Sequence, residues 1–291
     1  MIDLFKRNAP VPKESSPTSI CVWGPAGSPG KSTFAANMAC EMALEGHRVL
    51  LVDLDTFSPC LSEMFGLIDH PPGLAAAVRL VGQGRFDLEQ INRLAVRFDV
   101  GSGHLAILTG LSSSSRWPEI GAEKVEGLIN GALQHFDFVI LDVASQLESS
   151  IRQVGGAVDR NIAARTAISV SSKTVAMLSS EPIGVKRFLE AYDQVSALTS
   201  NSLIVANRLR TSALGAKAKQ QVDDAIRHFF NRSIAAFIPD DSESCDRAVF
   251  EMVPLAMMKR SSSARQAIAQ FVRLNFLGAA PRRHRSVAKL D

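Results

Sequence analysis

The sequence predicts an α/β fold in which a single doubly wound, mostly parallel sheet carries helices on both faces. Short apolar runs alternate with longer helix-like segments, which is typical of parallel strands joined by crossover helices. The apolar runs are continuous rather than alternating with polar residues, as expected of strands buried on both faces. The first run also leads through a glycine-rich turn directly into a helix-like segment.

The individual elements follow from these runs in chain order. The predicted strands are Thr18–Trp23, Arg48–Asp53, Leu105–Leu108, Phe136–Asp142, Thr174–Leu178, Ser202–Ala206 and Ile234–Ile238. The predicted helices are Lys31–Gly46, Glu119–His135, Ile183–Leu198, Ala218–Phe230 and Ala264–Phe276. The segments 101–104 and 112–115 are predicted to be loops because they are rich in glycine and serine.

The chain is predicted to form one folded domain over residues 18–277. No internal repeat and no shift in composition divides this range. Residues 1–17 are predicted to be a flexible N-terminal arm because they contain Pro10, Pro12 and Pro17 and only a short apolar portion, too small for a signal-peptide core. Residues 278–291 are predicted to be a basic C-terminal tail.

Composition excludes several classes of protein. Of the 291 residues, 46% are hydrophobic and 21% charged, which fits a globular protein with a substantial core. A net charge of +3 gives no global indication of DNA or membrane binding. The four cysteines form no C-x-x-C pair, so a zinc site is not expected. Unpaired cysteines are typical of a reducing compartment, so a cytoplasmic location is expected. No apolar run is long enough to span a membrane.

The turn after the first strand has the composition of a phosphate-binding loop. It reads Gly-Pro-Ala-Gly-Ser-Pro-Gly-Lys-Ser-Thr over residues 24–33. The backbone of Gly27, Ser28, Pro29 and Gly30 would surround an anion at the N-terminus of the following helix. In the G-x-x-x-x-G-K-[ST] pattern, the lysine reaches the outer phosphates and the hydroxyl binds Mg²⁺. These positions are Lys31 and Ser32, although Pro25 stands where the pattern has its first glycine.

Acidic residues end two of the other predicted strands. Asp53 and Asp55 follow the apolar run 49–52, and their i, i+2 spacing would direct both side chains towards one site. Asp142 follows the apolar run 138–141, which is the pattern of a Walker B strand whose carboxylate holds the magnesium shell. Because ligands bind at the carboxyl ends of parallel strands, we expect these acids beside the loop.

In the order of its segments, the chain resembles the ParA/MinD family of P-loop ATPases over roughly residues 18–277. The resembling segments are the loop, Val52–Asp55, Ser58–Pro59, Leu61–Leu67, the Walker B-like strand, Ser180–Pro182, Ala206–Arg208 and Ile238–Asp240. The resemblance implies binding of ATP or ADP with Mg²⁺. It implies that Lys31, Ser32 and Thr33 contact the phosphates, with Ser32 also on the metal.

The same resemblance assigns roles to the remaining candidate residues. It implies that Asp53 and Asp142 lie at the metal and that Asp55 orients the attacking water. It also implies that Asn207 contacts adenine and that Pro239 and Asp240 line the base pocket. The predicted catalytic residues are therefore Lys31 and Asp55, and the predicted metal residues are Ser32, Asp53 and Asp142.

The loop departs from the family pattern at one functional position. Family members carry Lys-Gly-Gly-x-Gly-Lys-[Thr/Ser], in which the first lysine reaches across a dimer to the partner's nucleotide. Ala26 occupies that position here, and Ser28 replaces the second glycine. Alanine supplies no charge to a phosphoryl transition state, so slow hydrolysis is expected. Pro29 also removes one N–H donor from the loop.

The loop also has the form Gly-Pro-x-Gly-x-Pro-Gly-[Lys/Arg]. Loops of this form resemble those of divergent TadZ/CpaE-like members, which usually carry a receiver-like domain before the ATPase.

Three functions remain open from the sequence. The first is a positioning or assembly ATPase with slow, Mg-dependent hydrolysis, a nucleotide-dependent homodimer and a protein partner. The second is a catalytically weak or silent scaffold for a pilus or secretion apparatus, and the third is a DNA-segregation ATPase. The expected location is cytoplasmic, with peripheral contact at the membrane or nucleoid. The amphipathic segment 264–277 invites comparison with a membrane anchor, but its spacing favours packing on the core.

Overall fold

The computed structural model describes residues 16–27, 29–101, 103–149, 159–258 and 261–278, and it confirms the predicted α/β fold. Most of the predicted N-terminal arm and C-terminal tail, together with Ser28, lies outside the described residues. The strands are β1 (Thr18–Trp23), β2 (Arg48–Leu54), β3 (Val96–Val100), β4 (Gly103–Leu108), β5 (Phe138–Val143), β6 (Lys173–Ser179), β7 (Ser202–Leu209) and β8 (Ile234–Pro239).

Helices connect these strands. They are α1 (Lys31–Leu44), α2 (Leu61–Met64), α3 (Leu74–Gly82), α4 (Leu88–Leu94), α5 (Ala122–Leu133), α6 (Ile162–Val170), α7 (Pro182–Ser196), α8 (Thr211–Leu214), α9 (Ala218–Phe230), α10 (Ser242–Glu251) and α11 (Ser263–Val272). Two 3₁₀ turns cover Ser114–Glu119 and Leu255–Met257, and a π-helical turn, Arg273–Leu277, follows α11. Within the described ranges, no helix is long and apolar enough to cross a membrane.

The strands form one sheet in the order β3-β4-β2-β5-β1-β6-β7-β8. Every adjacent pair is parallel except β3 with β4. The central strand β1 lies between β5 and β6, so the loop that follows β1 emerges in the middle of the carboxyl edge. This is where strands on either side place their last residues, and it is the ligand edge of a doubly wound sheet.

Side chains of each central strand alternate between two apolar clusters, one on each face of the sheet. In β5, for example, Val139 and Leu141 belong to the first cluster, whereas Phe138 and Ile140 belong to the second. Helices α3, α5, α6, α7 and α9 cover the first face, and α1 and α11 cover the second. Burial on both faces explains why the sequence runs are continuously apolar.

The structure corrects the sequence prediction at one edge of the sheet. The strand β3 was not predicted, and the supposed loop 101–104 contains Gly103 and His104, the first two residues of β4. The segment Val-Arg-Phe-Asp-Val of β3 alternates apolar and polar residues because it pairs antiparallel with β4 at the sheet edge. A search for continuous apolar runs misses such a strand, since only one of its faces is buried. The predicted loop 112–115 likewise runs into the 3₁₀ turn at Ser114.

The helix α11 packs on the body of the protein, as its spacing predicted. Ile268, Phe271 and Val272 are buried in the second cluster. The Phe271 ring also meets the Phe34 ring of α1 at 5.4 Å between centroids. The apolar face of α11 is therefore part of the core. The predicted basic tail beyond it lies outside the described residues.

Candidate nucleotide-binding site

The loop between β1 and α1 turns through two glycines with left-handed backbone conformations. Gly27 has a φ of 107° and Gly30 has a φ of 89°. Residues with a Cβ atom rarely adopt such positive φ angles, so this loop conformation requires glycine at both positions. Gly30 precedes α1, and its carbonyl accepts a hydrogen bond from Phe34 N at 2.9 Å. The loop therefore leads into a helix N-terminus at the centre of the carboxyl edge, where anions bind readily. Ser28, predicted to bind the cofactor, lies outside the described residues.

The first three residues of α1 are Lys31, Ser32 and Thr33, all half-buried. Lys31 and Ser32 lie close to the Asp142 carboxylate. Burial raises the pKa of Asp142 to about 6, even though the Lys31 charge and the Ser32 hydroxyl both lower it. The structure thus brings the lysine and the serine hydroxyl of α1 close to a carboxylate of β5, as the sequence predicted.

Asp142 lies on β5 and is completely buried. Both of its carboxylate oxygens are inaccessible to solvent, and neither reaches hydrogen-bond geometry with a partner in the described part of the chain. A buried carboxylate in this condition is costly unless a cation or a hydrogen-bond donor compensates it. Asp142 therefore has the environment of a ligand residue.

Asp53 is the neighbour of Asp142 across the β2–β5 pair. Its Oδ2 accepts hydrogen bonds from Cys60 N at 2.8 Å and from Leu61 N at 2.9 Å, where α2 begins. Burial raises the pKa of Asp53 well above its usual range, and the Asp142 charge raises it further. Asp53 thus holds the segment after β2 in place while lying beside the orphaned carboxylate.

Asp55 lies just beyond the end of β2 rather than on the strand. Its Oδ1 accepts hydrogen bonds from Phe57 N at 2.8 Å and from Ser58 N at 2.9 Å. Arg160 braces the same turn, since its Nη2 donates to Thr56 O at 2.7 Å and its guanidinium lies 3.8 Å from the centre of the Phe57 ring. The structure therefore brings Asp55 to the predicted edge, and sequence reasoning missed the arginine that supports it.

The residues predicted to bind the base line a cavity of about 390 Å³ beside the loop. Asn207 from β7 and Pro239 and Asp240 from the end of β8 line it together with Gly30 and Thr33. This volume lies in the range of small-molecule pockets. The Asn207 Nδ2 donates to Pro29 O at 2.7 Å, so this amide is bound to the phosphate loop itself.

Several residues of the cavity were not predicted to bind nucleotide. Arg208 and Arg210 line it, and Arg210 pairs with Glu181 at 3.4 Å and with Asp240 at 4.0 Å. Cys245 on α10 also lines the cavity, with intermediate exposure. The run Asp-Asp-Ser-Glu-Ser after β8 is a helix-start signal that could have placed α10 beside the site.

The donor set fits Mg²⁺ and a nucleotide phosphate. Carboxylate and hydroxyl oxygens are ligands suited to this hard cation, and the orphaned oxygens of Asp142 beside Ser32 provide both. Lys31 supplies a positive charge next to the same carboxylate. No separate group of three or more metal-ligating His, Cys, Asp or Glu side chains occurs in the ranges described above.

Comparison with known proteins places the chain among nucleotide-binding domains. Residues 20–255 match the model of the CobQ/CobB/MinD/ParA nucleotide binding domain. The chain is 24% identical over 257 residues to the septum site-determining protein MinD of Bacillus subtilis, covering 87% of each protein. Its fold is similar to a ParA family ATPase from Chlorobium tepidum, with a TM-score of 0.73, 18% identity and coverage of 89% of this chain and 99% of the other. It is also similar to MinD from Pyrococcus horikoshii complexed with Mg-ADP, with a TM-score of 0.68, 18% identity and coverage of 88% and 94%.

Proposed function

Since the chain belongs to the CobQ/CobB/MinD/ParA family of nucleotide-binding domains, we propose that it is a positioning or assembly ATPase that binds ATP or ADP with Mg²⁺ and hydrolyses ATP slowly. The observation that carries this proposal is the orphaned carboxylate of Asp142 beside Lys31 and Ser32. Ser32 and Asp142 would hold the metal, with Asp53 behind them, and Lys31 would contact the outer phosphates. Bound Mg²⁺ would neutralise charge on the phosphate oxygens.

The chain's own residues account for the rest of the expected chemistry. The loop backbone around Gly27, Pro29 and Gly30 and the start of α1 at Thr33 would bind the phosphates. Asn207, Pro239 and Asp240 would bound the adenine side of the site. Asp55, held in its turn by two backbone N–H groups, would orient the attacking water. Because Ala26 supplies no cation, turnover is expected at the slow end of the range.

Nucleotide binding can be tested with a Lys31→Ala variant. We expect wild-type protein to bind ADP and a non-hydrolysable ATP analogue in the presence of Mg²⁺, and the variant to bind at least about 10-fold more weakly because a charge-assisted contact is lost. Calorimetric titration measures both, and circular dichroism checks that the variant is folded. Wild-type protein that binds neither nucleotide would overturn the proposal.

Cysteine labelling locates the nucleotide independently of turnover. Cys245 lines the cavity and Cys60 is the other partly accessible cysteine, whereas Cys21 and Cys40 are buried. In a Cys60→Ser background, nucleotide should therefore slow the modification of Cys245 by a maleimide. An unchanged rate at saturating nucleotide would show that the base does not occupy this cavity.

A second candidate, a nucleotide-binding scaffold without turnover for a pilus or secretion apparatus, is favoured by Ala26 at the position of the family's lysine. Phosphate release with ATP, measured alone and with DNA or anionic lipid vesicles, separates the two candidates. Turnover that Lys31→Ala abolishes supports the ATPase, and stimulation by DNA would favour a segregation role. Binding without turnover under every condition supports the scaffold. Light scattering with and without nucleotide tests the expected homodimer.

A further inference from the structure

Helix α7 places a guanidinium group against the phosphate loop. Arg187 lies beside Gly27, and a Cβ atom built on that glycine would collide with Arg187 Nη1 and lie 3.1 Å from its Cζ. Gly27 therefore serves two purposes, since its φ of 107° requires glycine and its missing side chain makes room for the arginine. This contact was not predicted, because the two residues are far apart in the chain.

The backbone of Arg187 is anchored by the residue next to it. Phe188 is completely buried, and its ring lies 6.4 Å from the ring of Trp23, the last residue of β1. Phe188 also stacks on Tyr192, one turn further along α7, with ring centroids 4.9 Å apart. Because β1 leads directly into the loop, these contacts fix the position of α7 relative to the phosphate site. The arginine is thus delivered by a rigid helix rather than by a mobile loop.

Arg187 forms no ion pair with the described acidic residues, although Glu148 and Glu190 line the same cavity. Among the described residues, Arg187 has no carboxylate within ion-pair distance, and the nearby Glu190 pairs with Lys186 at 3.5 Å. Arg187 instead lines a cavity of about 270 Å³ that also contains Pro25 and Ala26 of the loop. An exposed cation beside an anion-binding loop is available for an anionic ligand.

We propose that Arg187 contacts the terminal phosphate of the nucleotide held by its own chain, and so adds a cation from α7 beside the loop, which has no cation at Ala26. This inference rests on the proposed nucleotide binding. The guanidinium offers several N–H donors in a planar fork that matches phosphate oxygens. Its contact with Gly27 of the same chain is the reason for assigning the action to the same subunit.

Arg187 in this position would also stabilise the transition state of ATP hydrolysis, because negative charge shifts during the reaction. The water oxygen forms a bond to the γ-phosphorus, and the bond from this phosphorus to the bridging oxygen breaks. ADP leaves with the electron pair, one water proton remains on the phosphate, and the other is released to solvent. Negative charge develops on the γ-phosphoryl oxygens and on the leaving oxygen, and a fixed guanidinium stabilises it without rearrangement.

Binding measurements with the intact protein test the phosphate contact directly. For Arg187→Gln, we expect the affinity for a non-hydrolysable ATP analogue to fall about 10-fold, while the affinity for AMP changes less than about twofold. Arg187→Lys should retain part of the affinity because it keeps the charge but loses the fork. The matched control is Lys186→Gln, since Lys186 is the preceding exposed residue of α7 and points to Glu190. This control should leave both affinities unchanged.

The outcomes distinguish this inference from the proposed function. If wild-type protein binds no nucleotide, the proposed function fails and the inference fails with it. If wild-type protein binds and Arg187→Gln binds AMP and the ATP analogue as wild type does, only the inference is overturned. Equal losses for AMP and for the ATP analogue would also overturn it, because they would place Arg187 away from the terminal phosphate.

Mixing two variants tests action within one subunit. Arg187→Gln keeps Lys31, and Lys31→Ala keeps Arg187. If Arg187 acts in its own chain, titration of an equimolar mixture with the ATP analogue gives the average of the two separate titrations. Appearance of wild-type affinity at about a quarter of the sites or more would show that the arginine acts across a dimer, and would overturn the assignment to the same chain.

Discussion

The ends of β2 and β5 lie side by side and carry the same residue, yet they differ in how each aspartate is used. Asp53 and Asp142 are neighbours in register, and both are completely buried. Asp53 accepts backbone N–H groups from Cys60 and Leu61, whereas Asp142 accepts none from the described residues. One carboxylate therefore organises the polypeptide through backbone donors, and the other lies beside Lys31 and Ser32 without a well-formed hydrogen bond from the described residues.

This difference indicates where stability and function separate. A satisfied buried carboxylate supports the fold, because removing it leaves N–H groups without acceptors. An unsatisfied one costs stability, so its presence points to a water molecule, an ion or a ligand that compensates the charge. The comparison predicts opposite consequences for substitutions at two positions that are adjacent in space.

Replacing Asp53 tests whether its carboxylate stabilises the fold, and it should change the free energy of unfolding more than the other substitutions do. In Asp53→Ala, the N–H groups of Cys60 and Leu61 lose their acceptor and a cavity remains, so the free energy of unfolding should fall by about 4 kcal/mol. Urea unfolding without nucleotide measures it. Asp53→Asn retains an oxygen acceptor and removes a charge whose pKa burial raises, so its free energy of unfolding should fall by less than about 1 kcal/mol. Equal losses in the two variants would contradict a role for Asp53 as acceptor.

Replacing Asp142 tests the functional side. Asp142→Asn should reduce the affinity for Mg-ADP about 100-fold, equivalent to about 2.7 kcal/mol, because the carboxylate no longer compensates the cation. In the same variant, the nucleotide-free protein should become more stable by about 1 kcal/mol, because an unsatisfied buried charge is removed. Titration calorimetry and urea unfolding measure the two effects. If Asp142→Asn is less stable than wild type and binds Mg-ADP with wild-type affinity, Asp142 supports the fold rather than the metal site, and the prediction is wrong.

The pH dependence of stability gives a further test. Burial raises the pKa of Asp142 from 3.8 to about 6, so the folded protein holds this proton more tightly than the unfolded chain does. Stability from this group is therefore lost as pH rises from about 4 to 6, by at most about 1.4 kcal/mol per pH unit. The neighbouring groups that share this environment are Lys31, Ser32, Asp53 and Asp55.

The measured quantity is a difference, because other carboxyl groups titrate in the same range. The free energy of unfolding of Asp142→Asn minus that of wild type should increase between pH 4 and pH 6 and then level off. Both proteins are measured without nucleotide or metal. A difference that stays constant with pH would show that the Asp142 carboxyl has the same pKa in the folded and unfolded states.

A substitution two residues beyond the end of β4 should affect the surroundings of Asp53 and leave those of Asp142 unchanged. A Cβ atom at Gly110 would collide with Pro59 and lie 3.1 Å from Asp53 Cγ. Gly110→Ala should therefore lower the free energy of unfolding by about 1 kcal/mol through overpacking, with Mg-ADP affinity reduced less than about twofold. Gly121→Ala is the matched control, since nothing lies within 4 Å of its added Cβ. A large loss of affinity in Gly110→Ala would show that the two strand ends are not independent.

Much of the site was predictable because its residues lie at strand ends. The loop at residues 24–33 and the acids Asp53 and Asp142 follow apolar runs, and a parallel sheet brings such ends together whatever the details of packing. The strand β3 was missed because an edge strand alternates in polarity. The adenine contact of Asn207 stays a prediction from family resemblance. The hydrogen bond that its Nδ2 donates to Pro29 O was not predicted, because no local sequence pattern encodes that bond.

Hydrophobic periodicity and glycine-rich turns act over short stretches of chain. For this reason the sequence predicted seven of the eight strands of the sheet, their carboxyl edge and the chemical types gathered there. Which of the two aspartates receives backbone hydrogen bonds depends on where the N–H groups of Cys60 and Leu61 point, and tertiary packing sets that direction. The position of Arg187 against Gly27 is likewise set by the packing of α7 on β1 through Phe188 and Trp23. Contacts between residues distant in the chain arise only when whole elements pack, and a single sequence does not display that packing.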